Sequence, residues 1–207
     1  MGLDLIELLR SGPYGRLALL IEYGSNASGS DRDFWAVFES QPRTSAILLG
    51  GLDLWAVSEA EAAHLIGLLD PFVTEPLLTG TVIFDEAGVA DRLRESLSAT
   101  RSDAQTARYL LHRSYQAYIE AYGASQVPDH GNPRSYWSNL LFSVSYRNYA
   151  RIYLTEGHKA ITLDDSIASM PAPLRSIWDE MVDHKHENSE IDASYLDAIT
   201  TVVLTSQ

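Results

Sequence analysis

The spacing of apolar and polar residues divides the chain into a first part that alternates strands with short helices and a second part that is helical. In the first part the pattern predicts strands over residues 16–23, 33–39 and 81–84, one extended stretch over 46–49 and 52–57 with a bulge or bend at residues 50 and 51, and helices over 3–10, 58–69 and 72–79. Beyond residue 86, apolar positions recur every three or four residues, which predicts helices over 87–98, 102–122, 134–156, 171–184 and 192–205. The pattern therefore favours an α+β protein, with a small mixed-sheet domain over residues 1–92 and an all-α helical bundle over residues 93–207.

One stretch of the first part, residues 17–39, carries a pattern that suggests chemistry. A buried apolar strand leads into Gly24 and Ser25, a loop of small residues follows, and a second apolar strand begins with Asp31 and Asp33. Because they are two residues apart on an extended chain, both carboxylates point to the same face. A glycine after a strand lets a ligand approach the backbone, whose N–H groups can then hold phosphate oxygens.

A third aspartate, Asp53, lies within an apolar predicted strand, where a carboxylate is costly without a partner. If that strand lies beside the one that begins at Asp33, three carboxylates converge. Converging carboxylates repel one another and favour a divalent cation, and oxygen ligands suit Mg²⁺, which shares its coordination with substrate phosphates. The alternatives are a plain hairpin turn at 24–30, pairing of Arg32 with its flanking aspartates, and a solvent-facing Asp53 at a sheet edge.

Composition narrows the function classes. The chain has 207 residues, 45% of them hydrophobic, so it can bury a sizeable core. The lack of cysteine excludes disulfides, thiol catalysis and zinc sites of the cysteine type. A net charge of −13 disfavours general nucleic-acid binding. The sequence shows neither an apolar run long enough to cross a bilayer nor a signal-peptide pattern, which predicts a cytoplasmic protein without membrane association.

The motifs between residues 24 and 58 resemble those of the nucleotidyltransferase fold of the DNA polymerase β superfamily. GSNASG at 24–29 resembles the family's G-S-x-A-x-G, and SDRD at 30–33 resembles its S-D-x-D. ILLGGLDLWAVS at 47–58 resembles the strand that carries the third carboxylate. The helical part resembles the C-terminal bundle of aminoglycoside nucleotidyltransferases and of HEPN domains.

The resemblance implies transfer of a nucleoside monophosphate from a nucleoside triphosphate to a hydroxyl group, and we expect AMP from ATP. The acceptor hydroxyl would belong to a small molecule such as an aminoglycoside, or to a protein. It implies catalytic and Mg²⁺-binding roles for Asp31, Asp33 and Asp53, and nucleotide-binding roles for Gly24, Ser25 and Ser30. Asp53 could also activate the acceptor hydroxyl, alone or with a bundle carboxylate, for which we nominate Glu120 or Glu156.

Two other functions stay open at this point. One is an antitoxin or regulatory module of the MNT type, which acts on a HEPN partner. The other is a non-catalytic nucleotide-binding protein, since the family usually carries an apolar residue where this chain has Arg32. The oligomeric state also stays open, with a homodimer among the expected assemblies.

Further polar residues of the helical part each have two interpretations. Six residues lie between Arg151 and His158, a spacing that fits the motif of HEPN ribonucleases. The alternative is a bundle arginine with a histidine after the helix end. His184 and His186 are interpreted as solvated loop residues, with a metal site as the alternative. Two tyrosine sets at helical spacing are interpreted as core, with a ligand-stacking cleft wall as the alternative: Tyr115, Tyr118 and Tyr122, and Tyr146, Tyr149 and Tyr153.

Overall fold

The computed structural model describes residues 2–12, 14–24, 32–42, 46–49, 52–126 and 132–205 of the chain. The chain folds into two compact units, Met1–Arg101 with Lys159–Thr162, and Ser102–His158 with Leu163–Gln207. The sequence expectation placed the division between residues 92 and 93. Helix α4 (Val89–Ala99) packs on the helices and strands of the first unit, and the whole of this helix therefore groups with the sheet.

The described residues of the first unit form a five-stranded sheet with helices around it. Its strands are β1 (Leu17–Tyr23), β2 (Arg32–Phe38), β3 (Ala46–Leu49), β4 (Leu52–Ser58) and β5 (Thr81–Asp85). Its other helices are α1 (Gly2–Ser11), α2 (Glu59–Gly67) and α3 (Pro71–Thr79). The strand order is β3-β4-β2-β1-β5, in which β2 and β4 run parallel and the other neighbours run antiparallel. The expected α+β class and mixed sheet are confirmed.

Apolar side chains are buried on both faces of this sheet, as nearly continuous apolar strands predict. On one face Phe34 packs in a cluster with Leu9 of α1. The alternate residue Trp35 is fully buried on the opposite face. On that face the ring of Trp55 contacts Phe72 of α3, with 5.1 Å between the ring centroids. The face that carries Trp35 and Trp55 is therefore the one that α3 covers.

Strands β3 and β4 form a hairpin where the sequence predicted one extended stretch with a bulge or bend. They pair antiparallel, and Leu49 lies opposite Leu52. Residues 50 and 51, on which that prediction rested, lie outside the described residues. Because the chain reverses here, β4 lies between β3 and β2 and can pair in parallel with β2.

Helices α2 and α3 each begin at a side chain that caps the first turn. The hydroxyl of Ser58 accepts a hydrogen bond from the backbone N–H of Glu61, at 3.1 Å. The carboxylate of Asp70 accepts one from the N–H of Phe72, at 2.9 Å, and Asp70 is buried. Pro71 occupies the first position of α3, where its missing N–H has no helical partner to lose. These caps fix where α3 starts relative to the end of α2.

The second unit is helical, as expected. Its helices are α5 (Ala104–Ser125), α6 (Pro133–Tyr153), α7 (Leu163–Ala168), α8 (Ala172–Glu187) and α9 (Ser194–Thr205). Fully buried Trp137, Leu140 and Met181 belong to its apolar core. The sequence pattern predicted these helices except α7, whose six residues are too few to show a helical period.

Replacing Asp70 with alanine is expected to lower the free energy of unfolding by about 1–2 kcal/mol, because the start of α3 loses a buried acceptor. Urea denaturation followed by circular dichroism measures the change. Asp70→Asn retains an acceptor and is expected to recover part of the loss. If Asp70→Ala unfolds at the same urea concentration as the wild type, the cap does not contribute to stability.

Candidate active site

The parallel pairing of β2 with β4 brings two of the predicted carboxylates together. Asp33 and Asp53 are register partners on these neighbouring strands. Register partners project to the same face, and both aspartates alternate with residues of the face that α3 covers, Trp35 and Trp55. Asp33 is half-buried and Asp53 is exposed. The pair can therefore be reached from solvent on the Asp53 side.

Strand β1 ends beside this pair, at a position that requires glycine. Tyr23, the last residue of β1, is the antiparallel partner of Asp33. Gly24 follows with φ +95°, a conformation that L side chains rarely adopt. A Cβ built on Gly24 would lie 2.7 Å from Oδ2 of Asp33. The absence of a side chain at Gly24 is therefore what lets the Asp33 carboxylate approach the backbone.

The pKa of the Tyr23 hydroxyl reflects the negative charges at this end of the sheet. Burial raises the pKa of Tyr23, and the charges of Asp33, Asp53 and Glu75 raise it further. A phenol in such surroundings stays protonated at neutral pH and keeps its hydrogen-bond donor. Three carboxylates thus lie within electrostatic reach of one hydroxyl.

Sequence reasoning did not select Glu75, although a signal for it exists. Glu75 is the one charged residue in the sequence of α3, PFVTEPLLT, and it is half-buried. An acid among apolar helix residues is as costly as the aspartate within strand β4, which was selected for that reason. The same test applied to helices would have found Glu75.

The other predicted site residues are distributed as follows. Asp31, Ser25 and Ser30 lie outside the described residues. Glu120 and Glu156, the nominated bases, are exposed residues of the second unit.

The donor chemistry at Asp33 and Asp53 fits a magnesium ion. Carboxylate oxygens are hard donors of the type that Mg²⁺ prefers, and this ion commonly uses only one or two protein carboxylates with water and phosphate. Among the described residues, no group of three or more His, Cys, Asp or Glu side chains is arranged to hold a metal ion. Asp33 and Asp53 are therefore the pair of carboxylates that the described residues would offer to such an ion.

The structure gives Arg151 a packing role. Its Nε donates to Oδ1 of Asn148 at 3.1 Å, and its Nη2 donates to the carbonyl of Ser169 at 2.7 Å. His158 is exposed, and its backbone N–H donates to Oγ of Ser102 at 3.0 Å. These contacts favour the interpretation of a bundle arginine with a histidine after the helix end.

The histidines and tyrosines of the second unit divide between core and surface. The interpretation of His184 as a solvated loop residue is wrong, because it lies in the last turn of α8, stacked on Trp137 and hydrogen-bonded to Tyr195. The core interpretation is confirmed for three buried tyrosines, Tyr146, Tyr149 and Tyr153. It is wrong for two tyrosines of α5, which are half-exposed, Tyr115 and Tyr122.

A cavity of about 200 Å³ opens among α5, α6 and α9 in the second unit. Tyr115, Tyr118 and Arg147 are among its lining residues. The Tyr118 hydroxyl is hydrogen-bonded to Oγ1 of Thr200, at 2.9 Å. Tyr115 and Tyr118 thus line a cavity wall, and Tyr118 also packs against the apolar core of the second unit.

In the described helices, none combines the length and the apolar character that crossing a membrane requires.

Comparison with known proteins finds a likeness among solved structures. No protein-family model matches the chain, and no curated protein matches it. A solved structure, that of a nucleotidyltransferase-like protein from Exiguobacterium sibiricum 255-15, aligns with a TM-score of 0.41 and 8% sequence identity. The alignment covers 98% of this chain and 73% of that one. A likeness of this strength carries no argument about function.

Gly24→Ala is expected to destabilise the protein by about 1–3 kcal/mol, because alanine is strained at this φ and its Cβ displaces the Asp33 carboxylate. Urea denaturation measures the loss. The matched control is Gly67→Ala in α2, where an added Cβ meets nothing within 4 Å and alanine is expected to be neutral or stabilising. Equal stability of the two variants would contradict the assigned role of Gly24.

Proposed function

We propose that this chain is a Mg²⁺-dependent nucleotidyltransferase, which moves a nucleoside monophosphate, AMP in the first instance, from a nucleoside triphosphate to a hydroxyl group. The observation that carries the proposal is the register pairing of Asp33 with Asp53 beside Gly24. Two carboxylates on adjacent strands offer ligands for a cation, and Gly24 lets the Asp33 carboxylate approach the end of β1, where backbone N–H groups can meet phosphate oxygens.

In this proposal Asp33 and Asp53 hold Mg²⁺ together with Asp31, and Gly24, Ser25 and Ser30 bind the phosphates through backbone N–H and hydroxyl groups. A bound Mg²⁺ supplies the positive charge that the triphosphate needs next to carboxylates. The protonated Tyr23 hydroxyl adds a hydrogen-bond donor at the same end of the sheet.

The reaction moves one phosphoryl centre between two oxygens. The acceptor hydroxyl oxygen forms a bond to the α-phosphorus, and the bond from that phosphorus to the oxygen bridging to the β-phosphate breaks. Pyrophosphate leaves, and the proton of the acceptor hydroxyl passes to a base. Asp33 and Asp53 act by fixing the triphosphate so that the acceptor and leaving oxygens lie in line.

The charge of the chain favours a cationic acceptor. A net charge of −13 attracts a polycation and repels polyanions. An aminoglycoside, which carries both amines and hydroxyl groups, is therefore the first acceptor to test, and a protein hydroxyl is the second.

Asp33→Asn and Asp53→Asn are each expected to lower nucleotidyl transfer by about 100-fold or more, because a carboxylate ligand is lost where phosphate charge must be offset. The assay follows transfer of label from α-³²P-ATP with Mg²⁺ to kanamycin, and to protein in a parallel reaction. Asp91→Asn, which changes an exposed acid in the first turn of α4, is the matched control and is expected to retain wild-type transfer.

Titration calorimetry with Mg²⁺-ATP separates the outcomes. Binding without transfer to either acceptor would identify a non-catalytic nucleotide-binding protein. Transfer that survives both aspartate substitutions, or a wild-type protein that neither binds Mg²⁺-ATP nor transfers label, contradicts the proposal.

A further inference from the structure

Helix α3 crosses the sheet from β4 to β1, on the face that carries the two aspartates. Near its start, the ring of Phe72 contacts Trp55 of β4, with centroids 5.1 Å apart. Just past its end, Gly80 lies so close to Ile21 of β1 that an added Cβ would collide with it. Trp55 follows Asp53 by two residues, and Ile21 precedes Tyr23 by two. Alternation along a strand puts each pair on one face, and α3 therefore spans the row next to the candidate site.

Glu75 lies in the middle of this crossing. It follows Phe72 by three residues, a spacing that puts both side chains on one side of the helix. Glu75 is half-buried and lies at the edge of the surface that α3 buries, whose buried residues are Val73, Thr74, Pro76 and Leu77. One carboxylate oxygen, Oε1, lies 3.4 Å from the Thr79 hydroxyl, whose shorter hydrogen bond, at 2.9 Å, goes to the backbone carbonyl of Glu75.

The electrostatics place Glu75 at the same end of the sheet as the two aspartates. The charge of Glu75 acts on the Tyr23 hydroxyl, as do the charges of Asp33 and Asp53. Tyr23 is itself the strand partner of Asp33. The path of α3, which runs from Trp55 of β4 to Ile21 of β1, assigns Glu75 to the candidate active site, and the charges around Tyr23 agree with it.

We propose that Glu75 is the general base of this site, which accepts the proton of the acceptor hydroxyl as its oxygen attacks the α-phosphorus. The inference rests on the proposed function. It gives the acidic groups different roles. Asp33 and Asp53, which lie side by side on neighbouring strands, would hold the cation, and Glu75, which comes from the helix that covers this face, would accept the proton.

The step balances in atoms and charge. The acceptor O–H bond breaks, its proton goes to a carboxylate oxygen of Glu75, and its electron pair forms the new bond between oxygen and phosphorus. The bond between the α-phosphorus and the bridging oxygen breaks, and pyrophosphate leaves with that electron pair. Glu75 later returns its proton to water.

Glu75 also belongs to the same compact unit as the aspartates, whereas Glu120 and Glu156 do not.

Glu75→Gln tests the proposal because it keeps the shape of the side chain and removes the proton acceptor. It is expected to lower kcat by about 100-fold or more, the range that a general base contributes. Its affinity for Mg²⁺ with α,β-methylene-ATP, measured by calorimetry, is expected to stay within about twofold of the wild type. Glu95→Gln, an exposed acid of α4, is the control and is expected to change neither quantity.

Rescue distinguishes a base from a residue that only supports the fold. Glu75→Ala is expected to regain at least about fivefold in kcat when sodium formate supplies a small carboxylate, because a proton acceptor can enter the vacated space. Thermal melting of each variant shows whether it is folded at the assay temperature. A folded Glu75→Ala that formate does not accelerate counts against the proposal.

The remaining outcomes separate this proposal from the proposed function. If Glu75→Gln keeps kcat within about twofold of the wild type while Asp33→Asn loses transfer, the base is another group and the nucleotidyltransferase assignment stands. If Glu75→Gln loses binding of the analogue, Glu75 serves binding, and its role as base is overturned. If the wild type neither binds nor transfers, both proposals are overturned.

Discussion

The parallel pairing of β2 with β4 is the interaction on which the candidate site depends. It makes Asp33 and Asp53, which are 20 positions apart in the chain, register partners on neighbouring strands. Because side chains alternate in a strand, a slip of one residue would turn one of the two carboxylates to the other face of the sheet. Packing resists such a slip, because on β2 the fully buried Trp35 alternates with the much smaller Ala36, and exchanging their faces would overpack one side of the sheet and leave a cavity on the other.

This alignment carries an electrostatic cost. The backbones of adjacent strands are about 5 Å apart, and two unit charges at that distance repel by about 1 kcal/mol in water, which surrounds the exposed Asp53. Glu75 adds a third negative charge within reach of the Tyr23 hydroxyl. The divalent cation of the proposed function would relieve this repulsion on binding and so stabilise the fold. Acidic clusters maintained at such a cost are typical of functional sites.

Helix α3 supplies the second layer of the site. A buried aspartate, Asp70, caps its start, and the close approach of Gly80 to β1 fixes its end. Between these points the helix presents one acid, Glu75, among apolar residues.

The second unit also uses a buried polar contact. The Nδ2 of fully buried Asn148 donates to the carbonyl of Ser166 at 2.7 Å and joins α7 to α6.

The order of strands and helices follows from the amino-acid sequence, because apolar periodicity is a local property of residues that face a core. The sequence also marked Asp33, since it follows Asp31 by two residues at the start of an apolar strand, and Asp53, since a carboxylate within an apolar strand needs a partner. Three features required the folded chain: β4 lies beside β2, Gly24 leaves room for the Asp33 carboxylate, and α3 brings Glu75 to the same end of the sheet. The physical reason is that strand pairing and helix crossing join residues far apart in the chain, and no local pattern records which distant surface will cover a given side chain.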